Sequence, residues 1–138
     1  MNELKISRTE IKDEKGNTIH LVYDENEDML DIRFGEKQPA TGIELTDQIL
    51  LRMDQSTGRA VSLTLHHFSI LIEQTGFGPR SYPLENIKEL PEDLQEQVVR
   101  VLTTAPVNKF MKTSFFQESP TKQILLTYVQ PFNFASVA

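Results

Sequence analysis

The chain of 138 residues contains no cysteine. A disulfide scaffold, a thiol nucleophile and a thiolate metal site are therefore excluded. Long apolar runs are missing too. The longest, residues 68–72 and 124–129, fall far short of the roughly 20 residues that a helix needs to cross a bilayer. Basic clusters are equally scarce. The net charge is −6, and residues 1–59 hold 13 acids against 8 bases. That leaves no stripe of Lys and Arg to bind nucleic acid or an anionic membrane, so neither is expected as a partner. The opening MNELKISRTEIKDEKGN is charged from its third position, unlike a secretory signal, and a cytoplasmic location is expected. No internal repeat or low-complexity segment interrupts the chain.

What is present suits a globular domain, with 38% hydrophobic and 25% charged residues. A chain of this length buries roughly 68% of its unfolded surface, enough for a core without staples. Residues 19–65 carry its clearest pattern, apolar runs of period two separated by turn residues. Leu30, Ile32 and Phe34 fall on one face and Asp31 and Arg33 on the other. Ile49, Leu51 and Met53 form a second set, and Val61, Leu63 and Leu65 a third. Between the last two lies Asp54-Gln55-Ser56-Thr57-Gly58, a hairpin loop whose glycine can take positive φ. Weaker strand signals lie at residues 4–11 and 19–23, joined by a Lys15-Gly16-Asn17 turn. Ile43-Glu44-Leu45 is short enough to be an edge strand.

Residues 66–73 fit either a continued strand or a short helix begun near Ser69. Residues 75–83 contain Gly76, Gly78, Pro79 and Pro83 and read as a hinge. Residues 91–104 read as the principal helix, amphipathic, with Pro91 in the first turn and Glu92 and Asp93 at its positive end. Leu94, Val98, Val101 and Leu102 form one apolar stripe, and Glu96 and Arg100 are spaced for an i, i+4 pair. Pro106 ends the helix. Residues 110–116 and 123–129 alternate again around Glu118-Ser119-Pro120-Thr121, a second hairpin followed by Phe132 and Phe134.

The expected fold is α+β in a single domain of residues 1–138. An antiparallel β-meander occupies residues 1–74, a connector 75–90, and the helix with a C-terminal β-hairpin 91–138. The helix stripe should cover one face of the meander, placing Ile32, Leu51 and Val98 in one core. Asp31→Ala, on the other face, should cost no more than about 0.5 kcal/mol.

Candidate chemistry is sparse. Asp24, Asn26 and Asp28 match positions 1, 3 and 5 of a calcium loop. However, Met29 replaces the glycine at position 6 and Gly35 the acid at position 12, so a solvated turn is the better reading. His66 and His67 are adjacent, which turns their rings apart in a strand or a helix alike. With His20 they are the chain's three histidines, and no His-x-x-x-His or Glu-x-x-His spacing occurs. No Gly-x-Ser-x-Gly elbow exists. Gly76-Phe77-Gly78-Pro79-Arg80 lacks the third glycine and the lysine of a phosphate cradle, which leaves Arg80 available to a carboxylate. Tyr82, Phe110, Phe115, Phe116, Tyr128, Phe132 and Phe134 enrich the second half in aromatic rings, as core or as an interaction surface.

The run Val22-Tyr23-Asp24-Glu25-Asn26-Glu27-Asp28-Met29-Leu30-Asp31-Ile32-Arg33-Phe34 resembles the opening of a bacterial family named domain of unknown function 2283. Its members begin with Tyr-Asp, a few polar residues, Asp and a Leu-x-Ile strand. Ile49-Leu50-Leu51-Arg52-Met53-Asp54 and Gly58-Arg59-Ala60-Val61 resemble its second strand, turn and third strand. The likeness covers about residues 19–68. From Phe77-Gly78-Pro79-Arg80 to Pro106-Val107-Asn108 the chain is similar to the extension of longer relatives. The family has no established reaction or catalytic residue to carry over; the resemblance implies antitoxin-like pairing with a small toxin as one reading, and the acidic first half of the chain would match a basic partner by charge complementarity.

Three functions thus stand side by side. The leading one is a non-enzymatic, self-associating protein-interaction module, a homodimer that also accommodates a protein partner. The second is a metal-dependent hydrolase using Asp24, Asp28 or Asp31 with His66 or His67, which requires residues 29–34 to lie beside the end of residues 61–65. The third is the antitoxin-like inhibitor. No catalytic, cofactor-binding or metal residue is assigned by the sequence.

Overall fold

A computed structural model describes residues 5–131. Strand occupies 48% and helix 18% of the chain, which makes the fold α+β with the sheet dominant. Eleven strands and two α-helices are present among the described residues. The first six strands are β1 (Ile6–Lys12), β2 (Thr18–Asp24), β3 (Met29–Phe34), β4 (Thr41–Glu44), β5 (Ile49–Asp54) and β6 (Arg59–His66). They form one antiparallel sheet in the order β1-β2-β3-β6-β5-β4. Two three-stranded meanders are therefore joined through β3 and β6, instead of one meander laid down in sequence order. Met29 faces His66, Leu30 faces Leu65 and Ile32 faces Leu63 across that seam.

Alternation decides the faces. Leu21, Ile32, Leu51, Leu63 and Leu65 are completely buried, and their sequence neighbours Val22, Asp31, Leu50 and Thr64 are half-buried on the opposite face. Val61 departs from the expected set. The β5–β6 register shifts between Arg52 and Met53, so Ala60, not Val61, faces Met53. Ala60 accordingly packs on the common core, and Val61 is buried outside it. Gly58, at φ 70°, closes the β5–β6 turn by donating its N–H to the Asp54 carbonyl at 2.8 Å.

The chain then leaves β6 through His67 into a one-turn helix, α1 (Phe68–Leu71), so residues 66–73 are both strand end and helix. Short strands β7 (Gln74–Thr75) and β8 (Gly78–Pro79) pair with each other, and β9 (Tyr82–Pro83) joins a second sheet. The expected hinge thus holds three short strands. A 3-10 turn at Glu85–Glu89 buries Ile87, and α2 (Glu92–Leu102) follows. Pro91 is its N-cap, one position earlier than expected, and α2 ends four residues before Pro106. Val98, Val101 and Leu102 are buried while Glu92, Asp93, Glu96 and Arg100 are exposed. The expected Glu96–Arg100 pair does not close: the Lys and Arg ion pairs among the described residues are Arg80–Glu73 and Lys122–Glu118, and His20 lies 3.2 Å from the Glu10 carboxylate.

Strands β10 (Met111–Ser119) and β11 (Lys122–Val129) form the C-terminal hairpin, in a second sheet ordered β10-β11-β9. One buried cluster unites the parts: Ile32, Leu51 and Val98 share it with Leu84, Val107, Met111 and Val129. Phe34 and Phe110 meet there with ring centroids 6.1 Å apart. Leu4, Phe132 and Phe134 lie outside the described residues.

Candidate functional site

The β3–β6 seam supplies the juxtaposition that the hydrolase reading required, so its acids and histidines can be placed one by one. Asp24, Met29 and His66 form one cross-strand row, with Met29 standing between the two polar residues. That row spaces Asp24 and His66 by two strands, about 9.6 Å. Asp31 faces Thr64, whose hydroxyl donates to its carboxylate at 2.8 Å. It is diagonal to His66, about 7–8 Å away, and already has its own partner. Asp24 accepts the Glu27 N–H at 3.2 Å inside the turn. His67 leaves the sheet at φ 56°, in the left-handed region. Among the described residues no three His, Asp or Glu side chains are grouped to hold a metal ion.

Asp28 has a definite task. It sits at φ 52°, and its backbone carbonyl accepts the Phe68 N–H at 2.9 Å. Its carboxylate accepts the Ser69 hydroxyl at 2.6 Å, the Ser69 N–H at 3.0 Å and the Tyr23 phenol at 2.7 Å. Tyr23 in turn stands edge-on to Phe68, with centroids 5.7 Å apart. Burial raises the Asp28 pKa, but the Ser69 and Tyr23 hydrogen bonds outweigh it and hold the carboxyl below its ordinary value. Burial and the Asp28 carboxylate push the Tyr23 phenol up to about 12. These bonds fasten the β2–β3 turn to α1. A carboxylate bonded directly to a serine, with no imidazole between them, cannot relay the serine proton as a triad does. Sequence could flag Tyr23 and Asp28 by spacing, but Ser69 lies 41 residues away and carries no local signal.

A cleft of about 880 Å³ opens where the β1–β2 and β3–β4 turns meet the end of α2. Glu10, Asp13, Lys15, Arg59 and Lys109 border it, charges of both signs. His20 pairs with Glu10 there at 3.2 Å. Arg80, available by sequence, pairs with Glu73 at 3.2 Å.

The strand edges differ far more than the clefts. At one side of the large sheet, β1 alternates Arg8, Glu10 and Lys12. At the other, β4 has four residues. In the second sheet β9 has two residues and ends in Pro83. Charge, shortness and proline are the ordinary protections of an edge. In contrast, β10 is nine residues long, residues 114–118 are all exposed, and no other strand among the described residues pairs with its outer edge. Phe115 and Phe116 are 52% and 53% exposed there, and as sequence neighbours they project from opposite faces. Phe110 is buried and Tyr82 and Tyr128 are half-buried, so the aromatic enrichment divides between core and surface.

No family model matches the chain, and no curated protein or solved structure matches it either. No helix among the described residues is long and apolar enough to cross a membrane.

Proposed function

We propose that the protein is a non-enzymatic interaction module that associates with itself through β10. The observation carrying this reading is the pair Phe115 and Phe116, half exposed on a long strand whose outer edge meets no other strand among the described residues. An open row of backbone donors and acceptors is a template for another strand, and exposed aromatic area supplies apolar burial when one arrives. A two-fold homodimer is the simplest closed product. The amphipathic character of α2 belongs to the same picture: its buried stripe closes the core and leaves the hairpin tip uncovered. Kinship with the domain of unknown function 2283 family, over residues 19–68, is part of this proposal and adds no reaction.

The hydrolase alternative is disfavoured by bonding. Asp28 and Asp31 are engaged with Ser69, Tyr23 and Thr64, and Met29 separates Asp24 from His66. The test is sedimentation equilibrium of the full chain at high micromolar concentration. A dimer is expected, reverting to monomer in Phe115→Glu/Phe116→Glu with an unchanged circular dichroism spectrum. A wild-type chain that stays strictly monomeric overturns the reading.

A further inference from the structure

The backbone of β10 specifies more than an open edge. Gln130 donates its N–H to the Phe110 carbonyl at 2.8 Å, one step beyond the Met111–Val129 pair. Residues 110 and 130 therefore form a hydrogen-bonded pair, and such pairs alternate with non-bonded ones along an antiparallel ladder. Counting along the register, Thr113–Thr127, Phe115–Leu125 and Gln117–Gln123 are the non-bonded pairs. The other side of β11 agrees independently, because the Leu125 carbonyl turns away from β10 to accept the Leu84 N–H at 3.0 Å. The N–H and C=O groups of Thr113, Phe115 and Gln117 therefore point out of the sheet edge, at every second residue, where no other strand among the described residues pairs.

We infer that the occupant of this edge is β10 of a second copy of the chain, paired antiparallel about a two-fold axis at Phe115. This rests on the self-association reading and names its mode. A two-fold axis perpendicular to a sheet sets a residue opposite itself, so only registers centred on a residue are allowed. Phe115 is the midpoint of Met111–Ser119, and centring there overlaps all nine residues. Phe115 then exchanges both backbone bonds with its own copy, and Thr113 does so with Gln117 of the second copy. Phe116 lies opposite Ser114, where a small side chain leaves room for the ring.

Charge selects the same register. With Phe115 at the axis, Lys112 faces Glu118 of the second copy, twice by symmetry. Moving the centre to Ser114 sets Lys112 against Phe116, and moving it to Phe116 sets Lys112 against Pro120. Glu118 already accepts Lys122 of its own chain at 3.1 Å in an exposed pair, and a carboxylate has acceptor sites for both ammonium groups. The β10–β11 register shifts between Gln117 and Ser119, so Glu118 is the extra residue of a bulge. The five central residues pair regularly, and the long Lys112 and Glu118 side chains span the bulge.

The absence of cysteine makes the test clean. In the full-length protein, Lys112→Glu and Glu118→Lys are measured singly and together by sedimentation equilibrium. Each single reversal replaces two attractive cross-strand pairs by two repulsive ones and should weaken dimerisation by about tenfold or more. The double exchange should restore it to within about threefold, since the charges again oppose. Phe115→Cys should oxidise to a covalent dimer, because a hydrogen-bonded antiparallel pair sets its Cα atoms about 5.5 Å apart, within disulfide reach. Thr113→Cys, four residues out of register with its own copy, should not. A dimer in which the charge effects merely add and neither cysteine cross-links overturns the β10 pairing and leaves self-association standing. A wild-type monomer overturns both.

Discussion

Ile32→Ala is the most direct probe of how the two meanders are joined. Ile32 lies on β3 with Leu21 of β2 and Leu63 of β6 as its register partners, and all three are completely buried. The substitution removes three carbons, each worth about 0.8 kcal/mol of transfer free energy. The resulting void adds a further term of about 24 cal/mol per Å³, because strands on both sides hold its walls in place. A loss of about 3–5 kcal/mol follows, a large share of the stability of a domain this size. The comparison variant is Asp31→Ala, one residue along and half-buried on the opposite face. Its carboxylate takes the Thr64 hydroxyl at 2.8 Å, which the sequence did not disclose. Its removal should therefore cost about 0.5–1.5 kcal/mol, more than a free surface acid. Urea unfolding followed by circular dichroism reads both. With a slope of about 1.5 kcal/mol per molar for both variants, the Ile32→Ala midpoint should fall by roughly 2–3 M and that of Asp31→Ala by no more than about 1 M. Equal shifts would refute the face assignment of β3, since a slip of one residue exchanges every inward and outward side chain.

Other outcomes follow from particular bonds. Asp28→Ala should lower stability by about 1–2 kcal/mol at neutral pH, because the turn loses its bonds to Tyr23 and Ser69. An unchanged urea midpoint would contradict the fastening role. The Asp28 pKa is depressed on folding, so its contribution is present above the unfolded value of about 3.9 and is lost as pH falls through the folded one. Wild type should therefore lose its advantage over Asp28→Asn on acidification, and a constant difference would argue against this. Tyr23 is raised to about 12, so its contribution holds below the unfolded value of about 10 and fades between there and 12. Tyr23→Phe should flatten that alkaline decline, and an identical decline would exclude Tyr23 as its source. Gly58→Ala, where nothing lies within 4 Å of an added Cβ, should cost about 1 kcal/mol through its φ of 70° alone. A wild-type melting temperature would count against that.

Most of the sheet was legible because period two survives burial on one face. Leu30–Ile32, Ile49–Leu51–Met53 and Leu63–Leu65 are all buried as the alternation requires. The strand order was not legible. Once β3 ends, alternation is equally compatible with β4 or β6 as its neighbour, and the seam is fixed only by long-range pairing. Val61 escaped for a related reason, since a bulge breaks the period without any glycine or proline to announce it. The candidate site was readable as a set of acids and histidines near one turn, but not as a bonded group. Which carboxylate meets Ser69, Thr64 or Tyr23 depends on contacts spanning up to 41 residues.

The β10 edge was hidden for a different reason: it looks like more core. On one face of the hairpin Met111, Thr113 and Phe115 run in line, opposite Val129, Thr127 and Leu125. Met111 is completely buried, Thr113 half-buried and Phe115 52% exposed. The apolar pattern thus continues unchanged from interior to surface, and only the place where covering structure stops separates the two. Among the described residues the exposure begins past residue 113, while α2 and the 3-10 turn at Val107–Lys109 both contact β10. A strand evolved solely for the core gains nothing from apolar residues past its cover and acquires an edge liable to aggregate. Two phenylalanines kept there, on opposite faces and beside outward-pointing backbone groups, make sense when a second strand arrives to cover them. Self-pairing suits the rest of the strand, because Lys112 and Glu118 lie equally far from Phe115 on either side and make the edge its own complement.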